Sequence, residues 1–256
     1  MTKIILCGCS GRMGMAISDI SATIPDVKIV AGIDKYVQSA AYASINEFNG
    51  DADVIVSYLP PTETAGTLEI LNYGIRRQIP VIICTTALPQ EIEHAIVDAS
   101  KKVAVLKSAN MSLGVNLLAN MLGRASKLLY ESQFDIEIIE KHHNKKLDAP
   151  SGTAKVFADV ICQAIDGDMH TVHDRSTTHA ERGRAEIGMH SIRGGNIIGE
   201  HSIIFAGQGE VIEFKHSAIS RDVFAVGTIK AAHFMKDKPI GLYSMQNLID
   251  ALQGCN

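Results

Sequence analysis

The 256-residue sequence contains no tryptophan, and aromatic residues make up only 5% of it. Aromatic platforms of the kind that stack sugars or single-stranded bases are therefore not expected. The cysteines, at positions 7, 9, 84, 162 and 255, are odd in number and form no repeated close pair. Cys7 and Cys9 have a single residue between them, too short a spacing for a structural zinc or redox motif. Free thiols in a reducing compartment are the expectation. No apolar run is long enough to span a bilayer, and Met1-Thr2-Lys3 runs straight into a strand-like segment with no separate leader. A cytoplasmic protein without membrane contact is expected. A formal charge of −4 provides no general basic surface for nucleic acid, while leaving room for a local cationic pocket.

What is present is a globular composition, 46% hydrophobic, in a chain long enough for one large or two ordinary domains. Apolar runs predict strands at 3–7, 27–32, 53–58, 80–85 and 103–107, with helices at 12–21, 62–73 and 90–99 between them. Strands that are apolar throughout and separated by helices indicate a parallel sheet covered on both faces. The pattern changes near residue 110. A connecting helix is expected at 111–129, and the alternation beginning at Phe134 marks a half-buried strand. A helix at 151–165, a polar stretch at 166–184 and strands at 187–192, 201–205 and 210–216 follow, then helices after Arg221 and at 245–252. The fold class expected is α/β: an N-terminal Rossmann-like parallel sheet, and a second α+β domain with a mixed, largely open-faced sheet. Periodicity does not decide which domain the C-terminal helices join.

Chemistry concentrates in two places. The first is Gly8-Cys9-Ser10-Gly11-Arg12-Met13-Gly14, which follows the first strand and opens the first helix. Its spacing is not a literal G-x-G-x-x-G. Gly8 can still make the tight exit, Gly11 can let backbone approach a pyrophosphate, and Gly14 can permit close helix packing, with Arg12 near the positive helix start. Asp34 lies 20 residues beyond Gly14, at the end of the second strand, where a carboxylate can bind both ribose hydroxyls. The adjacent Lys35 can accommodate the extra phosphate of NADP, or stand as a solvated lysine. NADH, NADPH or both are the expected cofactors. Ser57-Tyr58 and Cys84-Thr85-Thr86-Ala87 fall at strand ends that line the ligand crevice of a parallel sheet, with helix capping as the plainer alternative for the threonines.

The second is Glu140 to Thr153, which gathers His142, His143, Lys141, Lys145, Lys146 and Asp148 ahead of a predicted helix start at Ser151-Gly152-Thr153. Imidazoles can exchange a proton near neutral pH, and a helix start with hydroxyls suits a carboxylate. Zinc would need a third ligand such as Asp148, and the neighbouring lysines oppose it, so no metal is expected. No serine or cysteine triad can be read from spacing. These residues alone leave open another NAD(P)-dependent dicarboxylate or amino-acid dehydrogenase, or a non-catalytic nucleotide-binding redox sensor.

The segment Glu137 to Thr153 resembles the signature of the dihydrodipicolinate reductase family, also called 4-hydroxy-tetrahydrodipicolinate reductase, of bacterial lysine biosynthesis. The resemblance extends to Gly8–Gly14, Asn110-Met111-Ser-Leu-Gly-Val-Asn116, His190 to His201 and Ser220-Arg221, and so covers essentially the whole chain. It implies a dinucleotide-binding domain over 1–109 plus 222–256 and an inserted substrate-binding and tetramerisation domain over 110–221. It implies a small cyclic dicarboxylate substrate and a homotetramer. It puts His142 in the general-acid position, with Lys146 as a further catalytic and binding residue. His143, Ser151, Gly152 and Thr153 become substrate-binding residues. Gly8, Ser10, Gly11, Arg12, Met13, Gly14, Asp34, Lys35, Ser57, Thr85, Thr86, Asn110 and Met111 become cofactor-binding residues. Two segments depart from the family pattern: its Gly-Thr-Thr-Gly-Phe loop is Cys84-Thr-Thr-Ala-Leu88 here, and its Asp-Phe-Thr-x-Pro segment is Ser57-Tyr-Leu-Pro-Pro61.

Overall fold

The computed structural model describes residues 1–37 and 40–254; Cys255 lies outside the described residues. The chain opens with β1 (Thr2–Cys7), α1 (Arg12–Ser21), β2 (Val27–Ile33), β3 (Val54–Ser57), α2 (Thr64–Arg77), β4 (Val81–Ile83), α3 (Gln90–Ser100) and β5 (Ala104–Lys107). There follow α4 (Leu113–Glu131), β6 (Asp135–His142), α5 (Gly152–Ile165), β7 (His170–Val172), β8 (Glu186–Arg193), β9 (Gly199–Ala206) and β10 (Val211–Ala218). The chain ends with α6 (Asp222–Met235), β11 (Gly241–Tyr243) and α7 (Met245–Leu252). It divides into two compact units, one of Met1–Leu113 with Arg221 onward and one of Gly114–Ser220.

In the first unit six strands form a sheet in the order β11-β5-β4-β3-β1-β2, and every neighbouring pair is parallel. Alternate side chains point to opposite faces, so each strand feeds two cores. Ile4, Leu6, Val54, Val56, Ile82 and Leu106 pack on one face with Ile17 of α1 and Ala225 and Ile229 of α6. Ile5, Ile55, Val81, Ile83 and Val105 pack on the other with Ile70 of α2 and Ile92 and Ile96 of α3. The strands are apolar throughout because neither face meets water. The order reverses at β1, with β2 on one side and β3 on the other, and that is where doubly wound sheets open their ligand crevice. The three-residue β11, not expected from the sequence, pairs with β5 and seats the C-terminal helices in this unit.

In the second unit the order is β10-β9-β6-β8-β7, with β6 antiparallel to β9 but parallel to β8. Burial alternates strictly along β6. Ile136 and Ile138 join Ile187, Ile203 and Phe205 in a core closed by Leu118 and Leu122 of α4 and by Phe157 and Ile161 of α5. The opposite face carries Glu137, Ile139 and Lys141, all partly exposed. The edge strand β7 falls within the polar 166–184 stretch that the sequence left without an element; three residues are too few to show an alternation. Among the described residues no helix is long and apolar enough to cross a membrane.

Candidate active site

The glycine turn is shaped by two close approaches. Gly8 takes φ +79, and a Cβ there would meet the Tyr58 carbonyl oxygen at 3.1 Å. At Gly14 a Cβ would stand 2.3 Å from the Gly8 carbonyl oxygen, so only glycine lets α1 start this near the turn. Gly11 is the N-cap of α1, with no side-chain cap and no acidic residue in the first turn. The unpartnered N–H groups of that turn are left for an anion, with Arg12 exposed and Met13 half-buried beside them. The cradle fits a dinucleotide pyrophosphate.

Beside it, a cavity of about 180 Å³ is bordered by Gly8, Gly11, Asp34, Tyr58 and Glu63. Asp34 accepts hydrogen bonds from the backbone N–H of Ser10 at 3.3 Å and of Tyr36 at 3.1 Å, which fixes the carboxylate against the turn. Lys35 is exposed but paired: its Nζ lies 2.5 Å from Glu63 Oε2, and the Tyr36 hydroxyl donates to the other oxygen of the same carboxylate.

Several expected cofactor positions place their side chains inward. Ser57 is fully buried, Met111 is 2% exposed within the core, and Thr85 donates its hydroxyl to the Leu59 carbonyl at 2.7 Å. At these three positions the side chains hold the surrounding loops, so the cofactor contact expected of them would be made by backbone. Asn110 caps its own turn, accepting from Ser112 N at 2.9 Å. Thr86 is exposed, and Ala87 next to it adopts φ +52, the left-handed conformation that glycine would take without strain.

In the second unit the parity of β6 carries Glu140 and His142 onto the same buried face as Ile136 and Ile138. Strand register sets Glu140 opposite His201 of β9, and His142 beside Arg193 of β8. Glu140 is fully buried and fully paired. One oxygen accepts from His142 Nδ1 at 2.6 Å and Arg193 Nη1 at 2.8 Å, and the other from Arg193 Nη2 at 2.7 Å and Ser151 N at 3.1 Å. Burial pushes this carboxyl up, but the hydrogen bonds from Arg193, His142 and Ser191 outweigh it and hold the group at about 2. It is a carboxylate throughout the neutral range. The His142 imidazole is lowered from its ordinary value, by burial first, with Glu140 pulling it back up. Glu140 thus holds Nδ1–H, orients the ring and stabilises an imidazolium when one forms. On the far side of the ring a Cβ at Gly199 would come within 3.2 Å of Nε2, so this glycine keeps that nitrogen uncovered.

His201 packs edge-on against His142, with ring centroids 5.2 Å apart, and burial lowers it to about 4, so it is neutral. Its Nε2 lies 3.0 Å from Ser151 Oγ. That hydroxyl also caps α5 by accepting from Ala154 N at 3.2 Å, and Ser151 is 2% exposed. The Ser151 hydroxyl, expected at the substrate, faces the interior here, toward His201 and Ala154 N. Gly152 is exposed, with nothing within 4 Å of a Cβ there, and Thr153 and His143 are half-buried. Lys146 Nζ sits 2.8 Å from Asp148 Oδ1. The start of α5 is thus capped at Ala154 N and leaves the backbone of Gly152 exposed, in the segment that carries Lys146, His142 and His143. Among the described residues no three His, Cys, Asp or Glu side chains are placed to hold a metal.

Sequence reasoning assigned no role to Glu140, Arg193 or His201. For Glu140 the signal was present, since its parity on β6 puts a carboxylate on the apolar face, where a charge needs a partner. Arg193 and His201 carried no comparable mark, because only strand register brings them to it.

A doubly wound parallel sheet with an uncapped glycine-turn helix, in a chain whose second unit holds an imidazole backed by a buried carboxylate, marks a dinucleotide-dependent oxidoreductase. Within that class the chain belongs to the dihydrodipicolinate reductase family, whose N-terminal model matches residues 2–111 and whose C-terminal model matches residues 114–249. It is 45% identical to a 4-hydroxy-tetrahydrodipicolinate reductase of Clostridium novyi, over 97% of this chain and 98% of that one. The corresponding protein of Clostridium tetani is 42% identical over 98% of each chain. In fold it matches a dipicolinate-bound dihydrodipicolinate reductase from Paenisporosarcina with a TM-score of 0.74 at 21% identity, covering 96% of this chain and 99% of the other.

Proposed function

We propose that this protein reduces 4-hydroxy-2,3,4,5-tetrahydrodipicolinate to 2,3,4,5-tetrahydrodipicolinate with NADH or NADPH, in the diaminopimelate route to lysine. The observation that carries the reading is the Glu140–His142–Arg193 arrangement, set beside Lys146 and followed by the exposed Gly152 at the start of α5, in a chain of this family. NADH or NADPH, held at the glycine turn and Asp34, would supply the hydride for C4 of the ring once the 4-hydroxyl has left as water. His142 delivers a proton from Nε2 to C3, and Glu140 stabilises the charged imidazole before transfer. Lys146, His143, Thr153 and the N–H groups at the start of α5 hold the distal carboxylate, charge-assisted contacts that fix the ring for transfer. Gly8, Ser10, Gly11 and Gly14 cradle the pyrophosphate, and Asp34 binds the ribose hydroxyls of the adenosine end.

The partly exposed face of the second sheet, with Ile139, Ile192 and Val211 among ionic residues, is the surface on which four copies assemble. The free thiols of Cys7, Cys9, Cys84 and Cys162 are in keeping with a cytoplasmic setting.

The test is to form the substrate in place from pyruvate and aspartate semialdehyde with the preceding synthase, then to add this protein. Absorbance of the reduced nicotinamide is expected to fall. A folded preparation that binds the dinucleotide yet leaves the absorbance unchanged would overturn the proposal. Light scattering on the same sample is expected to give the mass of four chains.

A further inference from the structure

We propose that Glu63 makes the adenosine cavity selective for NADH by holding Lys35 away from a 2′-phosphate, an inference that rests on the reductase reading above. Asp34, Lys35, Glu63 and Glu69 all line that cavity, so among the described residues three carboxylates face it with one lysine. Two of these carboxylates also hold local donors while keeping acceptor sites: Asp34 takes one N–H on each oxygen, from Ser10 and Tyr36, and Glu69 takes Ser44 Oγ at 2.6 Å and Asn46 Nδ2 on a single oxygen. Lys35 is the cation next to the ribose-binding carboxylate, where a 2′-phosphate would reach. Its ammonium is instead paired with Glu63 Oε2 at 2.5 Å, and Tyr36 pins the same carboxylate through its hydroxyl.

The pairing has a definite geometry behind it. Glu63 is the N-cap residue of α2, and its side chain is only 15% exposed, whereas that of Lys35 is 52% exposed. The carboxylate is the fixed partner and the ammonium the mobile one. A dinucleotide with free 2′ and 3′ hydroxyls enters without disturbing the pair, since Asp34 accepts from the diol. A 2′-phosphate of nearly two negative charges must draw Lys35 off Glu63 and then lie beside the carboxylate left unpaired. A lysine next to the acidic residue, read alone, suggests tolerance of NADPH. Its partner, 28 residues later in the chain, reverses that reading.

The experiment measures the dissociation constants of NADH and NADPH for the full chain by quenching or transfer fluorescence, without substrate. The parent is expected to bind NADH at least about tenfold more tightly. Glu63→Gln, which keeps the side-chain shape but releases Lys35, is expected to raise NADPH affinity relative to NADH by about tenfold. Lys35→Ala added to Glu63→Gln is expected to cancel that gain, since the released ammonium is its source. A parent that binds both equally or prefers NADPH overturns the proposal. So does a ratio unmoved by Glu63→Gln, or a gain that survives the loss of Lys35. If neither dinucleotide binds, the reductase reading falls and this proposal with it, an outcome distinct from binding with an unmoved ratio.

Discussion

Replacing Glu140 with glutamine keeps the volume of a fully buried side chain and removes its charge. Two consequences separate cleanly. Arg193 loses the carboxylate that takes both of its terminal nitrogens, at 2.7 and 2.8 Å, and breaking one side of such a buried pair costs about 3 kcal/mol or more. The second consequence falls on His142. Burial already lowers its affinity for a proton, and Glu140 is the group that opposes the lowering, so the substitution drives the imidazole further down. Each unit of that fall removes about 1.36 kcal/mol from the imidazolium, about tenfold in the proton-bearing fraction at pH 7. With loss of ring orientation added, kcat/KM at pH 7 is expected to fall by about 100-fold. The assay is kcat/KM against pH, with urea unfolding run in parallel. In the parent, kcat/KM declines as pH rises through the depressed value of His142. In Glu140→Gln that limb moves to lower pH, and the deficit shrinks as the buffer is acidified. A folded variant whose activity drops equally at every pH, with the limb unmoved, would refute the positioning role.

Other outcomes follow from the same geometry. Lys146→Ala should raise KM and lower kcat together, because the lysine is assigned to the substrate carboxylate, and steady-state constants matching the parent would remove it from the site. His201 is held at about 4 against an ordinary 6.5, so the unfolded chain takes up a proton that the folded protein refuses as pH falls through that window. Stability present above pH 6.5 is therefore lost toward pH 4, by roughly 3 kcal/mol. His201→Gln should flatten that part of the urea-unfolding profile, and an unchanged slope would show that another group is responsible. Glu140 acts in a lower window, its contribution being lost from the ordinary 4.5 down to about 2. Ala87 sits at φ +52, and Ala87→Gly should stabilise the protein by up to about 1 kcal/mol in chemical unfolding, with destabilisation as the contrary result.

The first unit was largely legible because its signals are local. Continuous apolar runs, the glycine turn and Asp34 all lie within one βαβ stretch, and α1 occupies Arg12–Ser21 as expected. Two elements of three residues, β7 and β11, were not legible, since each is stabilised by pairing with a longer strand rather than by its own pattern. In the site, the histidines and Lys146 could be read from residue type, and the helix start from Ser151-Gly152-Thr153. What the residue types did not show is direction. Ser151 carries the right hydroxyl for a carboxylate but turns it inward to cap α5 and meet His201. Contacts at long separation were equally hidden: Arg193 lies 53 residues from Glu140, and Glu63 lies 28 from Lys35. Those contacts set the charge states on which the chemistry depends.

The most direct test of the reductase reading follows the hydride itself. With nicotinamide deuterated at the transferring position and substrate generated in place, the product formed by the parent protein is expected to gain one deuterium at C4. His142→Gln should give the same label at a rate lower by about 10²–10⁴-fold. Dinucleotide oxidation without deuterium in the product, or label at another carbon, would contradict the account.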